Sequence, residues 1–253
     1  MTPLPSFPAF RSLSRKEQAQ IVWTVFRLQS QLIFSQRIVW FIGAILLYVS
    51  ILYTINYTVS ARDRMGIDDV YFMVLTFPLM ALALYLNMQV IVSEKDQRTL
   101  EVLFTTAGSR YKVWLLRLSV LNLLILLSSF GISGIVFLTF ADFSITSMAC
   151  SVFVTSFLVG NLTLYVAIRL RSSLGAGMVT ALILFLQLLI TGIFDLTNTR
   201  YVLFFNPYDI PNQMDPRIWE LWAWQNRIGA LMIGMLLLFG AIRGLEDRDR
   251  LLR

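Results

Sequence analysis

The chain has 253 residues, of which 57% are hydrophobic and only 14% charged. A soluble domain of this size needs about 25% charged residues to cover its surface, so that class is excluded. With no histidine and a single cysteine, Cys150, most zinc sites, serine–histidine nucleophiles, histidine proton relays and an intramolecular disulfide are excluded as well. The net charge of +6 has to be read from where the basic residues fall.

Residues 1–37 read as a cytoplasmic tail and an interfacial helix. Pro3, Pro5 and Pro8 punctuate the start. The basic stretch that follows has no small-residue cleavage pattern, so it is not a cleavable signal. Residues 14–37 predict an amphipathic helix. Ile21, Val25, Leu28 and Leu32 form one stripe, and Arg15, Lys16, Glu17, Gln20 and Arg27 the polar side. A helix of this kind lies in the membrane interface.

Uncharged runs long enough to cross a bilayer follow. They set a transmembrane domain over 38–242, with spans near 38–61, 70–93, 113–141, 143–168, 172–194 and 221–242. Periods are helical or apolar all round, which argues against a β-barrel. Between spans five and six lies an outer stretch, 195–227. It holds Phe204, Phe205, Trp219, Trp222 and Trp224, and is broken by Pro207, Pro211 and Pro216. That apolar load does not suit a water-exposed loop. It predicts short helices that re-enter the outer leaflet, with tryptophans at headgroup level. The uncharged part of span six covers only about 22 Å at 1.5 Å per residue. The helix therefore recruits residues from 221 on, which brings Arg227 inside the outer leaflet. An arginine there is a functional candidate, or it snorkels to the surface. Residues 243–253 form a cytoplasmic tail.

Sixteen of the 21 Lys and Arg residues fall on the side holding both termini and the loop between spans two and three. By the positive-inside rule that side is the cytoplasm. The basic excess then reads as topology and anionic-lipid contact, and nucleic acid is not an expected partner.

The loop between spans two and three carries Glu94, Arg98 and Glu101 at i, i+4 and i+7, on one helical face. Leu100, Leu103 and Phe104 form an apolar patch beside it. Ser93 with Asp96 predicts a capping box that starts a fresh helix. Gly108 suits a C-terminal cap and Ser109 an N-cap for the next span.

The run Ser93-Glu94-Lys95-Asp96-Gln97-Arg98-Thr99-Leu100-Glu101-Val102-Leu103-Phe104 resembles the cytoplasmic signature of ABC-2 type permeases (type V exporter-like). Glu94, Thr99, Leu100, Glu101 and Leu103 match. Arg98 stands where the family usually has glycine, and Ala107-Gly108 where it often has proline. The resemblance implies an all-α integral membrane fold. It has six transmembrane helices, an N-terminal interfacial amphipathic helix, a cytoplasmic coupling helix and an outer re-entrant segment before helix six.

The resemblance also implies a permease subunit, most often an exporter, in a prokaryotic inner membrane with both termini cytoplasmic. Its partners are cytoplasmic ABC ATPase subunits and a second permease, identical or not. Glu94, Arg98, Thr99, Leu100, Glu101, Leu103 and Phe104 would form the ATPase-coupling surface. Arg15, Lys16 and Arg27 of the interfacial helix would pair with Glu94 or Glu101. None of the thirteen glycines is followed by lysine, so there is no Walker A loop. ATP and Mg belong to the partner ATPase, and this chain is not itself an enzyme and carries no cofactor. The family's path runs between spans two and five, where the polar residues are Asn87, Gln89, Thr180, Gln187 and Thr191. They either line a path or bond neighbouring helices. The lack of ionisable residues in mid-span argues against proton coupling and for amphiphilic, lipid-like or peptide-like cargo. A non-transport anchor or motor component driven by an ATPase stays open as the alternative.

Overall fold

A computed structural model describes residues 14–16, 20, 23–24, 26–27, 36–60, 64–97, 110–170, 172–193, 200–211 and 214–246. Among the described residues there is no strand, and six helices are long and apolar enough to cross a membrane. Helix α1 spans Gln36–Thr58. Helix α2 is continuous, built of Ile67–Asp69, a π-helical stretch Val70–Thr76, and Phe77–Gln97. Helices α3, α4, α5 and α6 span Arg110–Thr139, Ile145–Leu170, Ser173–Ile193 and Pro216–Glu246. The regular structure of the described residues is all helical, and the six spans make the chain a multi-pass integral membrane protein. In hydrocarbon, only a helix or a closed barrel satisfies every backbone N–H and C=O internally.

Helix α4 is the centre of the bundle and packs against α2, α3, α5 and α6. In α4, 72% of the apolar window is buried, against 11% in α1 and 22% in each of α5 and α6. The sequence of α4 explains this. Its buried residues include Ala149, Ser156, Gly160, Asn161, Thr163 and Ala167. Small side chains let helices approach closely where lipid supplies no hydrophobic drive. A Cβ built at Gly160 would stand 2.5 Å from the Asn87 amide nitrogen of α2. One built at Gly234 of α6 would stand 2.7 Å from the Phe157 ring of α4. At Gly234 the crossing depends on the missing side chain, while at Gly160 a Cβ would make the Asn87 amide turn away from its bond to Ala83 O.

Helix α1 docks differently, through rings rather than close backbones. Phe41 stacks on Tyr85 at 4.6 Å between centroids, and Tyr53 meets Phe140 edge-on at 5.6 Å. The Tyr48 hydroxyl also donates to the Met73 carbonyl of α2, 3.1 Å away.

That carbonyl is free for a physical reason. Pro78 has no N–H, and its ring would clash with the carbonyl four residues back in an α-helix. The chain widens before it, and the Phe77 N–H bonds Phe72 O, five residues back. In that register the Met73 carbonyl would bond the N–H of residue 78, which proline lacks. Tyr48 takes its place. Thr76 closes the stretch by donating from Oγ1 to the Tyr71 carbonyl at 2.7 Å.

Two expectations are corrected here. No fresh helix starts at Ser93, because α2 runs unbroken from Phe77 to Gln97. Residues 91–97 hold no glycine or proline to stop it. Nor does α6 begin near 221: it starts at Pro216 and runs 31 residues, about 46 Å at 1.5 Å per residue. The Asp215 carboxylate accepts the Arg217 N–H at 2.9 Å, and proline suits the first helical position. Of the interfacial helix, the described residues from Arg15 to Arg27 are helical, and Thr24 Oγ1 donates to Gln20 O at 2.8 Å. Phe26 packs against the core, while Arg15, Lys16 and Arg27 are exposed.

Candidate functional site

The first turns of α6 organise the segment 200–211. Asn226 Nδ2 donates to the carbonyls of Arg200 and Val202 at 2.9 and 2.8 Å. Trp219 Nε1 donates to the Pro207 carbonyl at 3.0 Å, and the Phe205 and Trp219 rings lie 4.7 Å apart. Asn206 ties the segment to α2 by donating to the Asp68 carbonyl at 3.0 Å. These ties bury Phe205 almost completely, at 1% exposure. The segment is held by turns. The expected short helices are absent among the described residues here, because Pro207 and Pro211 interrupt any helical ladder.

Arg227 follows directly on Asn226, and the structure rejects snorkelling for it: the residue is only 7% exposed. Nη1 donates to Thr155 Oγ1 of α4 at 3.0 Å and makes a long 3.5 Å contact to Asn226 Oδ1. Nη2 donates to the Tyr71 hydroxyl of α2 and to the Phe205 carbonyl at 3.3 Å. The guanidinium carbon also lies 5.6 Å from the Tyr71 ring centroid. Nε is buried and has no hydrogen-bond partner among the described residues. Every acceptor is neutral. Placing an arginine inside the membrane costs up to about 2.5–3.5 kcal/mol, the value at the helix centre on insertion scales. Each hydrogen bond to a charged group returns about 1.5–3 kcal/mol. Two good bonds and a ring face are therefore enough to hold the cation, but no carboxylate bonds it among the described residues.

The surroundings are polar along one line. Ser147, Ser151 and Thr155 are spaced by four on α4, so they share a face. Ser147 is exposed, Ser151 half-buried and Thr155 1% exposed. The Tyr208 hydroxyl bonds Ser147 at 3.3 Å, and its ring lies 5.3 Å from that of Tyr71. Burial pushes the Tyr208 phenol above its ordinary value, while bonds to Ser147 and Ser151 and the Arg227 charge pull the other way. Tyr71 belongs to the π-helical stretch, a geometry frequent at functional sites.

The other sequence-named residues fall as follows. Phe204 meets Phe72 edge-on at 5.9 Å. Trp222 lies 6.2 Å from Trp219, and the Arg200 guanidinium sits 5.9 Å from its ring. Arg200 also bonds Gln225 Oε1 at 2.7 Å. Among the path candidates, Asn87 is buried and donates to its own helix at Ala83 O, 2.8 Å away. Thr180 and Thr191 are buried, and Gln89 and Gln187 are half-buried. No hydrogen bond joins any of these five to another among the described residues. Glu94 lies in the last turns of the α2 backbone. Arg98, Thr99, Leu100, Glu101, Leu103 and Phe104 lie outside the described residues. No group of three His, Cys, Asp or Glu that would hold a metal occurs among the described residues.

Sequence reading found Arg227, Phe205 and Pro207 but missed Tyr71, Thr155, Tyr208 and Asn226. Two signals were available: Pro78 inside an apolar run, and the four-residue spacing of Ser147, Ser151 and Thr155. Compared with known proteins, the chain matches no family model, no curated protein and no solved structure.

Proposed function

We propose that this chain is the permease subunit of an ATP-binding cassette exporter, moved by a separate cytoplasmic ATPase. The observation that carries the reading is the Glu94–Phe104 run with its Thr99-Leu100-Glu101 core, set between the second and third helices of a six-helix frame. The basic asymmetry supports a cytoplasmic position for it. The missing phosphate loop supports hydrolysis in a partner chain. The continuation of α2 to Gln97 suits the transfer of a push, since a continuous helix links that loop to the buried contact with α4.

In this reading a second permease, identical or not, covers part of the apolar face of α5. There Leu182, Phe185, Leu186, Leu189 and Ile190 are exposed. The protein sits in a prokaryotic inner membrane with both termini in the cytoplasm. The test is co-purification of the full-length chain from its native membrane. An ATPase subunit is expected to come down with it, and Glu101→Ala is expected to release that subunit. No ATPase, together with no effect of Glu101→Ala on any activity, overturns the reading. Transport by the purified complex in liposomes separates an exporter from an ATPase-driven anchor or motor.

A further inference from the structure

The α4 face that carries Ser147, Ser151 and Thr155 leads from an exposed hydroxyl to a buried cation that no carboxylate bonds among the described residues. We propose that this column, ending at Arg227 and Tyr71, is a binding site for a phosphate group. Three observations converge on it. The first is charge: all acceptors around the Arg227 guanidinium are neutral, and no carboxylate bonds it among the described residues. An oxyanion would supply what the fold omits.

The second is unspent donor capacity. Arg227 Nε–H is buried and has no acceptor among the described residues. The Tyr71 hydroxyl accepts from Arg227 and donates no bond of its own among the described residues. Arg227 is 7% exposed and Tyr71 1%, so solvent does not serve these hydrogens. Thr155, in contrast, already donates to the Ser151 carbonyl at 3.3 Å.

The third is access. Tyr208 lies over Tyr71, tied at its hydroxyl by a 3.3 Å bond to the exposed Ser147. In the proposed site the Tyr208 ring turns aside to admit the anion past Ser147 and Ser151. A phosphate group, with three or four acceptor oxygens, can take both the Arg227 Nε–H and the Tyr71 hydroxyl and leaves oxygens for a nearby hydroxyl of the column. The group is either the head of an amphiphile or free phosphate.

The site goes beyond the permease reading and is measured without it. Full-length protein in a neutral maltoside detergent is titrated with decyl phosphate, inorganic phosphate and decyl glucoside, following thermal unfolding and tryptophan fluorescence. Decyl phosphate is expected to raise the unfolding temperature saturably and decyl glucoside to leave it unchanged. In Arg227→Gln the apparent affinity is expected to fall about tenfold or more, as for loss of a charge-assisted contact. Arg243→Gln, at the far, exposed end of α6, is expected to bind as the native chain does.

Tyr71→Phe keeps the cation and removes only a hydroxyl. It is expected to weaken binding about threefold or more, and it carries the test if Arg227→Gln does not fold. Saturation by inorganic phosphate with the same dependence on Tyr71 identifies a soluble anion. Saturation by decyl phosphate alone identifies a lipid-like head. Saturation equal in Tyr71→Phe and the native chain, an equal response to decyl glucoside, or no saturation by either phosphate overturns the proposal.

Discussion

Arg227 on α6 and Thr155 on α4 share a hydrogen bond of 3.0 Å, with the cation on one helix and its neutral acceptor on the other. The bond lies at the contact between the central helix and the helix that pins the 200–211 segment. Because both groups are buried, the two single losses are unequal. Thr155→Val leaves a charged donor short of an acceptor and is expected to cost about 1–3 kcal/mol. Arg227→Met removes the charge along with its bonds, and replacement of buried ions by apolar groups is often near neutral. In the Arg227→Met background, Thr155→Val is expected to cost less than about 0.5 kcal/mol. Thermal or denaturant unfolding of the four proteins in detergent checks this cycle. Equal costs of Thr155→Val in both backgrounds would show that the bond contributes nothing.

The Tyr48 bond to Met73 makes a second cycle. Tyr48→Phe leaves a carbonyl without a donor in a low-dielectric setting and is expected to cost about 1–3 kcal/mol. Pro78→Ala restores an N–H at position 78, and the helix ladder can then serve that carbonyl. In the Pro78→Ala background, Tyr48→Phe is expected to be nearly silent. Unfolding midpoints of the four proteins decide it, and additive costs would sink the account of the π-helical stretch.

The six spans were legible because each is a long uncharged run, and a bilayer leaves such a run little choice but helix. The order of burial was not. Nothing in hydropathy marks α4 as central, since α5 is as apolar and lies largely exposed. The signal was in the small residues, Ala149, Gly160 and Ala167, whose meaning is steric rather than apolar. At the site, Arg227 stood out because a charge near an apolar run is rare. Its partners did not, because Thr155, Tyr71 and Tyr208 are unremarkable residues whose roles exist only once three separate segments meet. Pro78 could have been read as a disturbance in span two. Which carbonyl it freed, and that Tyr48 would answer it, required the packing of α1.

Thr180 separates a packing role from a path role. Its hydroxyl is buried and has no hydrogen-bond partner among the described residues. If the site is dry, the near-isosteric Thr180→Val removes an unsatisfied group and is expected to stabilise the protein by about 1 kcal/mol. A hydroxyl facing a water-filled path already has its partners in water, and valine there is expected to lower the unfolding temperature. The sign of the change in thermal unfolding distinguishes the two.

Gly234 and Gly229 lie on the same helix and differ only in what stands opposite them. A Cβ at Gly234 would sit 2.7 and 2.8 Å from two carbons of the Phe157 ring and 3.5 Å from the Leu158 Cα. Phe157 is buried at 5% exposure and has little room to turn. A Cβ at Gly229 would meet nothing within 4 Å. Gly234→Val is therefore expected to push α6 off α4 and cost about 1–3 kcal/mol, as overpacking does. Because the same contact carries the bond between Arg227 and Thr155, the variant is also expected to weaken phosphate binding. Gly229→Ala is expected to be neutral or stabilising by up to about 1 kcal/mol, from the gain in helix propensity. The two unfolding temperatures, measured side by side, check the contrast. A tolerated Gly234→Val would mean that the two helices do not meet as closely as the fold requires.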